Sequence, residues 1–249
     1  MPIDYTTLMT GMFAEWQKNR KLAVSNAKSF IRKTMRYDFI RVLSAVCCII
    51  AAYCQAYGQC TLTDLRSGDL LCFAPAKDNA ITKVTQGIGD VAIDHVAIVH
   101  RTNSSITTIE AVHRGVVEMP IDSTWARARQ KSETVIVGRI NGGLDIPASI
   151  ARALQHLGKP YDFFFEPSDS AIYCSELVQK AFVDIEGKPV FHTIPMSFHT
   201  PDGKILPYWT EYYRRAGKTV PEGAPGTNPG QLSRSQRLII IGRLTFEHE

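Results

Sequence analysis

The spacing of apolar and polar positions changes period several times between residues 59 and 249. Asp69-Leu-Leu-Cys-Phe73 follows a turn at Ser67-Gly68 and reads as a short buried strand. Asn79 to Asp90 is a glycine-containing loop. Asp94 to His100 and Ile106 to Val112 show mixed alternation and predict two strands, with a third at Val116 to Met119 after a turn at Gly115. Asp122 to Gln130 predicts a helix capped by Asp122 or Ser123, and Thr134 to Ile140 an apolar strand. Asp145 to Leu157 predicts a helix with Pro147 in its first turn, ended by Gly158 and Pro160. Ser175 to Ile185 predicts another, since Leu177, Val178, Ala181, Phe182 and Ile185 fall on one helical face. Residues 217–233 form a Pro/Gly loop, and Leu238 to Ile241 a late buried strand. Strand pairs early, helices in the middle and a strand at the end predict an α+β domain: a small antiparallel sheet or half-open barrel with helices packed against it.

The first 58 residues follow another logic. Val42 to Ala52 is an apolar run preceded by Arg36 and Arg41 and followed by Ala56-Tyr57-Gly58, the layout of a secretory signal peptide. The run is shorter than the roughly 18–20 apolar residues of a membrane span. Its alternatives are a buried helix and a retained anchor reaching Tyr57, with membrane association through residues 42–57. A chain beginning at Met35 has an ordinary signal peptide, so 35–58 is read as the leader and 1–34 as lying before the true start, or as a basic tail. The domain at 59–249 is then expected to be exported, to the periplasm or outside the cell.

Charge and cysteine content divide at the same place. The net charge of the chain is +4, but residues 1–58 hold eight Lys/Arg against three Asp/Glu, leaving twenty against twenty-one for 59–249. The domain has no global positive field, which argues against nucleic acid as a partner. Of six cysteines, only Cys60, Cys72 and Cys174 lie beyond residue 58. An odd number leaves at least one thiol free within the chain, and the lack of a CxxC pair there argues against a structural zinc site. A Cys60–Cys72 disulfide is conceivable in an oxidising compartment. Cys72, inside an apolar strand, reads as core.

Two local patterns carry chemistry. Ile93, His95, Ala97 and Val99 share one strand face, and Ile106, Thr108, Glu110 and Val112 share one face of the next. A turn centred on Thr102-Asn103 sets His95 directly opposite Glu110, where the carboxylate orients the imidazole and stabilises its charged form. A core histidine is the bland alternative. His100 and His113 lack such a neighbour and read as surface residues. In Tyr173-Cys-Ser-Glu-Leu177, Cys174 falls just before or at the first turn of the 175–185 helix, whose dipole and free N–H groups favour a thiolate and an oxyanion. Otherwise Ser175 or Glu176 simply caps that helix and Cys174 is a small buried hydrophobe.

The chain order of histidine, carboxylate and then helix-borne cysteine resembles the permuted papain-like branch of the NlpC/P60 superfamily, specifically YiiX/YaeF-like amidases. The resemblance rests on Arg66-Ser-Gly-Asp-Leu-Leu71, Asp94-His-Val-Ala-Ile-Val99, Ile109-Glu-Ala111, Gly158-Lys-Pro-Tyr-Asp162, Tyr173-Cys-Ser-Glu-Leu-Val178 and Pro225-Gly-Thr-Asn-Pro229, over about residues 62–245. It implies Cys174 as nucleophile, His95 as general base, Glu110 as the orienting acid, and Tyr161 in substrate binding or oxyanion stabilisation. Asp162 is either a turn residue or a functional one. It implies acyl transfer through a thioester without cofactor or metal, on a peptide or peptidoglycan stem-peptide amide. A lipid-like ester or acyl amide is the alternative substrate, and a non-catalytic binder of peptide or cell-wall fragments the alternative role.

Overall fold

The computed structural model describes residues 58–246. The leader, the Met35 start and the 42–57 apolar run lie outside the described residues, and no described helix is long and apolar enough to cross a membrane.

The domain is α+β. Seven strands form its main sheet: β1 (Gln59–Cys60), β2 (Leu70–Ala74), β3 (His95–Arg101), β4 (Ile106–Val112), β5 (Gly115–Pro120), β6 (Thr134–Ile140) and β9 (Leu238–Leu244). Their spatial order is β1-β9-β6-β2-β3-β4-β5, antiparallel except for the β1–β9 pair. The helices are α1 (Ile121–Gln130), α2 (Ile146–Leu154), α3 (Cys174–Ala181), α4 (Pro207–Arg215) and the short α5 (Pro229–Ser233). A second small sheet pairs β7 (Ile194–Pro195) with β8 (Pro225–Gly226).

Strand alternation gives the sheet two apolar faces. Leu71, Phe73, Ala97, Val99, Val135 and Val137 bury one face against Ile121 and Ala128 of α1. Leu70, Cys72, Val96, Ile98, Ile109 and Ile136 bury the other against α2 and α3, through Ile150, Ala153, Leu177, Val178 and Ala181. Strand β2 is consequently buried at all five positions, which is why its sequence is a continuous apolar run. Cys60 and Cys72 belong to the cores on opposite faces, and both are free thiols. The conceivable disulfide between them is therefore not formed.

Several boundaries depart from the sequence expectations. Helix α1 begins directly after Pro120, and neither Asp122 nor Ser123 caps it. Helix α2 does take Asp145 as N-cap, its carboxylate accepting the Ala148 N–H at 2.9 Å. Helix α3 starts one residue early, making Cys174 its first helical residue, and stops at Ala181. Ile185 therefore lies beyond the helix and is 81% exposed instead of extending its apolar face. The 217–233 loop contains both β8 and α5. Strand β9 runs on to Leu244 and is only partly buried, with Ile239 half exposed.

The β3–β4 hairpin carries the correction that matters most for the site. Ile98 pairs with Ile109, Val99 with Thr108 and Arg101 with Ile106. The connection is thus the four residues 102–105, and the register is displaced by two from a turn centred on Thr102-Asn103. His95 and Glu110 are diagonal rather than directly opposed. A shift of two leaves every side chain on its face, whereas a shift of one would have reversed them.

Candidate active site

Strand β3 begins at His95, beside Phe73 in the β2 ladder, with the two rings 5.1 Å apart. Diagonal neighbours on a sheet face lie about 7–8 Å apart, within reach of long side chains. The His95 Nε2 and the Glu110 carboxylate accordingly meet at 2.7 Å. Glu110 is completely buried. A carboxylate removed from water is costly unless its lone pairs are filled, and this one is well supplied. Arg127 Nη2 donates to Oε2 at 2.6 Å, and the Thr108 and Thr124 hydroxyls, 2.6 Å from each other, sit 3.2 and 3.1 Å from Oε1. Burial alone would raise the pKa of Glu110, but His95 and Arg127 outweigh it and hold the group down at about 2.

Arg127 also lies over the Phe73 ring, 5.7 Å from its centroid, and Phe73 in turn meets the His95 ring at a tilt of 46°. Arg127 and Thr124 were not singled out from sequence. Their three-residue spacing on α1 puts them on one helical side, but nothing local says that α1 returns to cover Glu110.

His95 also interacts with the Cys174 side chain at the start of α3. Burial disfavours an imidazolium here, but Cys174 and Glu110 together overcome that and raise His95 well above its usual range, to about 10. Cys174 is 4% exposed. Cys72 differs: burial pushes its thiol up to about 12, with the nearby Cys174 adding to the effect, which suits its core position.

Tyr161 reaches the same point by another route. Gly115 has φ +104°, and a Cβ there would sit 2.4 Å from the Lys159 carbonyl oxygen. Its backbone lets Val116 N–H bond to that carbonyl at 2.8 Å, docking the 158–160 segment on β5. Tyr161 then bridges Ile172, two residues before Cys174, which brings its hydroxyl beside Cys174 in one cavity lining. Burial, then the Cys174 charge, keep that hydroxyl protonated far beyond the ordinary tyrosine range. Asp162 is a turn residue: its carboxylate accepts the Phe164 and Glu166 N–H groups at 2.8 and 2.6 Å.

The Pro225–Pro229 loop clamps the start of α3. Thr227 N–H donates to the Tyr173 hydroxyl at 3.0 Å and its own hydroxyl to Ser175 Oγ at 3.1 Å. Asn228 caps α5 through the Gln231 N–H. Of the other histidines, His113 is exposed, while His100 is partly buried beside Glu118 at 2.8 Å.

Two cavities flank this centre. One, of about 60 Å³, is lined by Cys174 and Tyr173 together with Ile81, Val84, Phe165, Met196, Phe198 and Trp209. The other, of about 360 Å³, is lined by His95, Arg127, Lys131, Glu133 and Phe163 among others. Asp94 and Tyr161 line both.

A model of the family described as "Permuted papain-like amidase enzyme, YaeF/YiiX, C92 family" matches residues 64–242. The chain belongs to this family. In this member of the YaeF/YiiX family, His95, Glu110 and Cys174 come in that order along the chain and meet in one place. The uncharacterized protein YiiX of Escherichia coli is 34% identical over 99 residues, 39% of this chain. That match spans about half the length of YiiX, 48%. A crystal structure titled metalloprotein yiiX, from Escherichia coli O157:H7, shares the fold with a TM-score of 0.58 at 24% identity, over 72% of this chain and 97% of that one. That title calls the Escherichia coli protein a metalloprotein. Among the described residues no three His, Cys, Asp or Glu side chains are grouped as metal ligands, and Glu110 is already held by His95, Arg127 and two threonines.

Proposed function

We propose that this protein is a cysteine amidase that cleaves the amide of an apolar acyl group through a thioester. The observation that carries this reading is His95 held between Cys174 and the buried Glu110. Because Nε2–H donates to the Glu110 carboxylate, Nδ1 is the nitrogen left for the sulfur. The raised basicity of His95 equips it as the base that takes the proton of the attacking thiol.

In the proposed reaction the thiolate attacks the amide carbonyl carbon, and the C=O electron pair moves to oxygen. The Cys174 N–H at the start of α3 and the Tyr161 hydroxyl supply donors for that oxyanion. The imidazolium gives its proton to the leaving nitrogen as the C–N bond breaks, leaving a thioester and an amine. Water, deprotonated by His95, then releases the carboxylic acid and the thiol. Arg127 and the two threonines keep Glu110 ionised through both steps.

The substrate class follows from the walls of the cavity that Cys174 lines. Six apolar side chains there suit a hydrocarbon or other apolar acyl group better than a hydrophilic stem peptide. The test pairs thiol labelling with turnover. Wild type should react with iodoacetamide at Cys174 faster than the denatured chain does, and should hydrolyse octanoyl p-nitroanilide. Cys174→Ala should lose both while unfolding at the wild-type temperature. A Cys174 that labels no faster when folded, in a protein inert to acyl amides, would leave the domain as a binding module instead.

A further inference from the structure

A third cavity, of about 300 Å³, lies beside the one that Cys174 lines and takes no part in the reaction above. Phe165, Tyr173 and Thr227 line both, so these three residues are the partition between them. Two of the three are locked to each other and to α3: Thr227 N–H donates to the Tyr173 hydroxyl, and the Thr227 hydroxyl to Ser175 Oγ. Phe165 is held differently. It is only partly buried, and its ring meets Tyr173 edge-on with centroids 5.2 Å apart, and Trp209 at 5.9 Å. Beyond the partition the walls change character, from apolar side chains to Glu176, Gln179 and Lys180.

The backbone holds that ring in place under strain. Phe165 has φ +53°, in the left-handed region where a bulky side chain is an outlier. Such strain persists only where the surroundings over-determine it, and they do here. The Asp162 carboxylate accepts the N–H groups on either side, from Phe164 and Glu166, and the Tyr213 hydroxyl donates to the Phe164 carbonyl at 2.8 Å. A glycine would satisfy the same turn without strain. What the phenylalanine supplies is the ring, and the ring stands between an apolar cavity and a polar one.

We propose that Phe165 is a specificity-determining residue whose ring closes the acyl cavity, so that the site takes acyl chains that end at the partition and rejects longer ones. This rests on the acyl-amide reading above and adds to it an upper limit on chain length. The acyl cavity is the smaller of the two, and close-packed walls yield little to an oversized group. Removing the ring joins the cavities. The end of a longer chain then has somewhere to go, and need not be held tightly there for its exclusion to be lifted.

The experiment measures kcat/KM on butanoyl, octanoyl and dodecanoyl p-nitroanilides in wild type, Phe165→Gly, Phe165→Leu and Ile81→Ala, with thermal melting to check folding. Ile81 lines the acyl cavity but not its neighbour, so Ile81→Ala adds room without opening the partition. The dodecanoyl-to-butanoyl ratio should rise about 10- to 100-fold in Phe165→Gly, within the range for one methylene in an apolar pocket. It should rise less in Phe165→Leu and little in Ile81→Ala. Should Phe165→Gly fail to fold, the ratio in Phe165→Leu decides. If a folded Phe165 variant cleaves the butanoyl anilide with an unchanged ratio, or Ile81→Ala raises the ratio as much, the proposal for Phe165 is overturned while the amidase reading stands. If folded wild type cleaves none of the three, the acyl-amide reading falls and the proposal falls with it.

Discussion

Replacing Glu110 by Gln tests whether the buried carboxylate works by its charge or only by its shape. The substitution keeps the size of the side chain and much of its hydrogen bonding. The new oxygen can take the Oε2 position, accepting from His95 and Arg127, and the new NH2 can face the hydroxyl oxygens of Thr108 and Thr124. The imidazole tautomer is therefore preserved and only the charge is removed. A carboxyl drawn from 4.5 to about 2 prefers its ionised form in the folded protein by about 3 kcal/mol at neutral pH, at ~1.4 kcal/mol per pH unit. The rise at His95 to about 10 includes the same interaction, together with that of Cys174, so the two are not summed. The variant should therefore lose about 2–4 kcal/mol in urea unfolding at pH 7. The pH dependence has a definite sign. The stabilisation from a lowered carboxyl is complete above 4.5 and is lost as pH falls through about 2. The wild-type advantage should accordingly be full at pH 5–6 and shrink towards pH 2. The His95 contribution is complete below 6.5 and fades as pH rises through about 10, so the gap should narrow at high pH as well. A variant within 0.5 kcal/mol of wild type at pH 6, or a gap that does not shrink in acid, would refute the argument that this charge is held by His95 and Arg127.

The remaining expectations concern neighbouring groups. Tyr161→Phe should lower kcat on an acyl amide by about 10- to 100-fold with KM little moved, as for loss of one oxyanion donor; an unchanged kcat removes Tyr161 from that role. Thr124→Val should cost about 1 kcal/mol in urea unfolding, because Glu110 Oε1 is left with Thr108 as its remaining hydroxyl neighbour; no measurable cost would show that the Thr124 hydroxyl is dispensable. Glu176, on the first turn of α3, is raised to about 7 by burial against the opposing pull of Lys180. Its neutral form is favoured in the folded state, so stability is highest below 4.5 and falls as pH rises through about 7. Glu176→Gln should stabilise the protein at pH 8–9 by on the order of 1–2 kcal/mol and have little effect at pH 4; a loss of stability at pH 9 would mean that its bonds to Tyr173 and Lys180 outweigh the burial.

Much of the fold was legible because its signals are local. The two faces of β3 and β4, the Pro147-bearing first turn of α2 and the apolar side of α3 follow from periods of two and 3.6, and from the chemistry of helix ends. Sequence alone also put Cys174 at a helix start, His95 and Glu110 on facing sides of one hairpin, and Cys72 in the core. Other features depend on distant partners. The hairpin register was set by a four-residue connection whose length the polar residues at 101–105 do not specify, and only the parity of the shift preserved the His95–Glu110 meeting. Arg127 and Thr124 reach Glu110 because α1 folds back over the sheet. Tyr161 reaches Cys174 because the 158–160 segment docks on Gly115 and Val116. The apolar walls beside Cys174 are assembled from the 81–84, 165, 196–198 and 209 regions, far apart along the chain. Sequence thus determined which residue types were available for cysteine chemistry and on which element each would stand. Tertiary packing decided which of them are buried and paired, since desolvation and long-range contacts have no local signature.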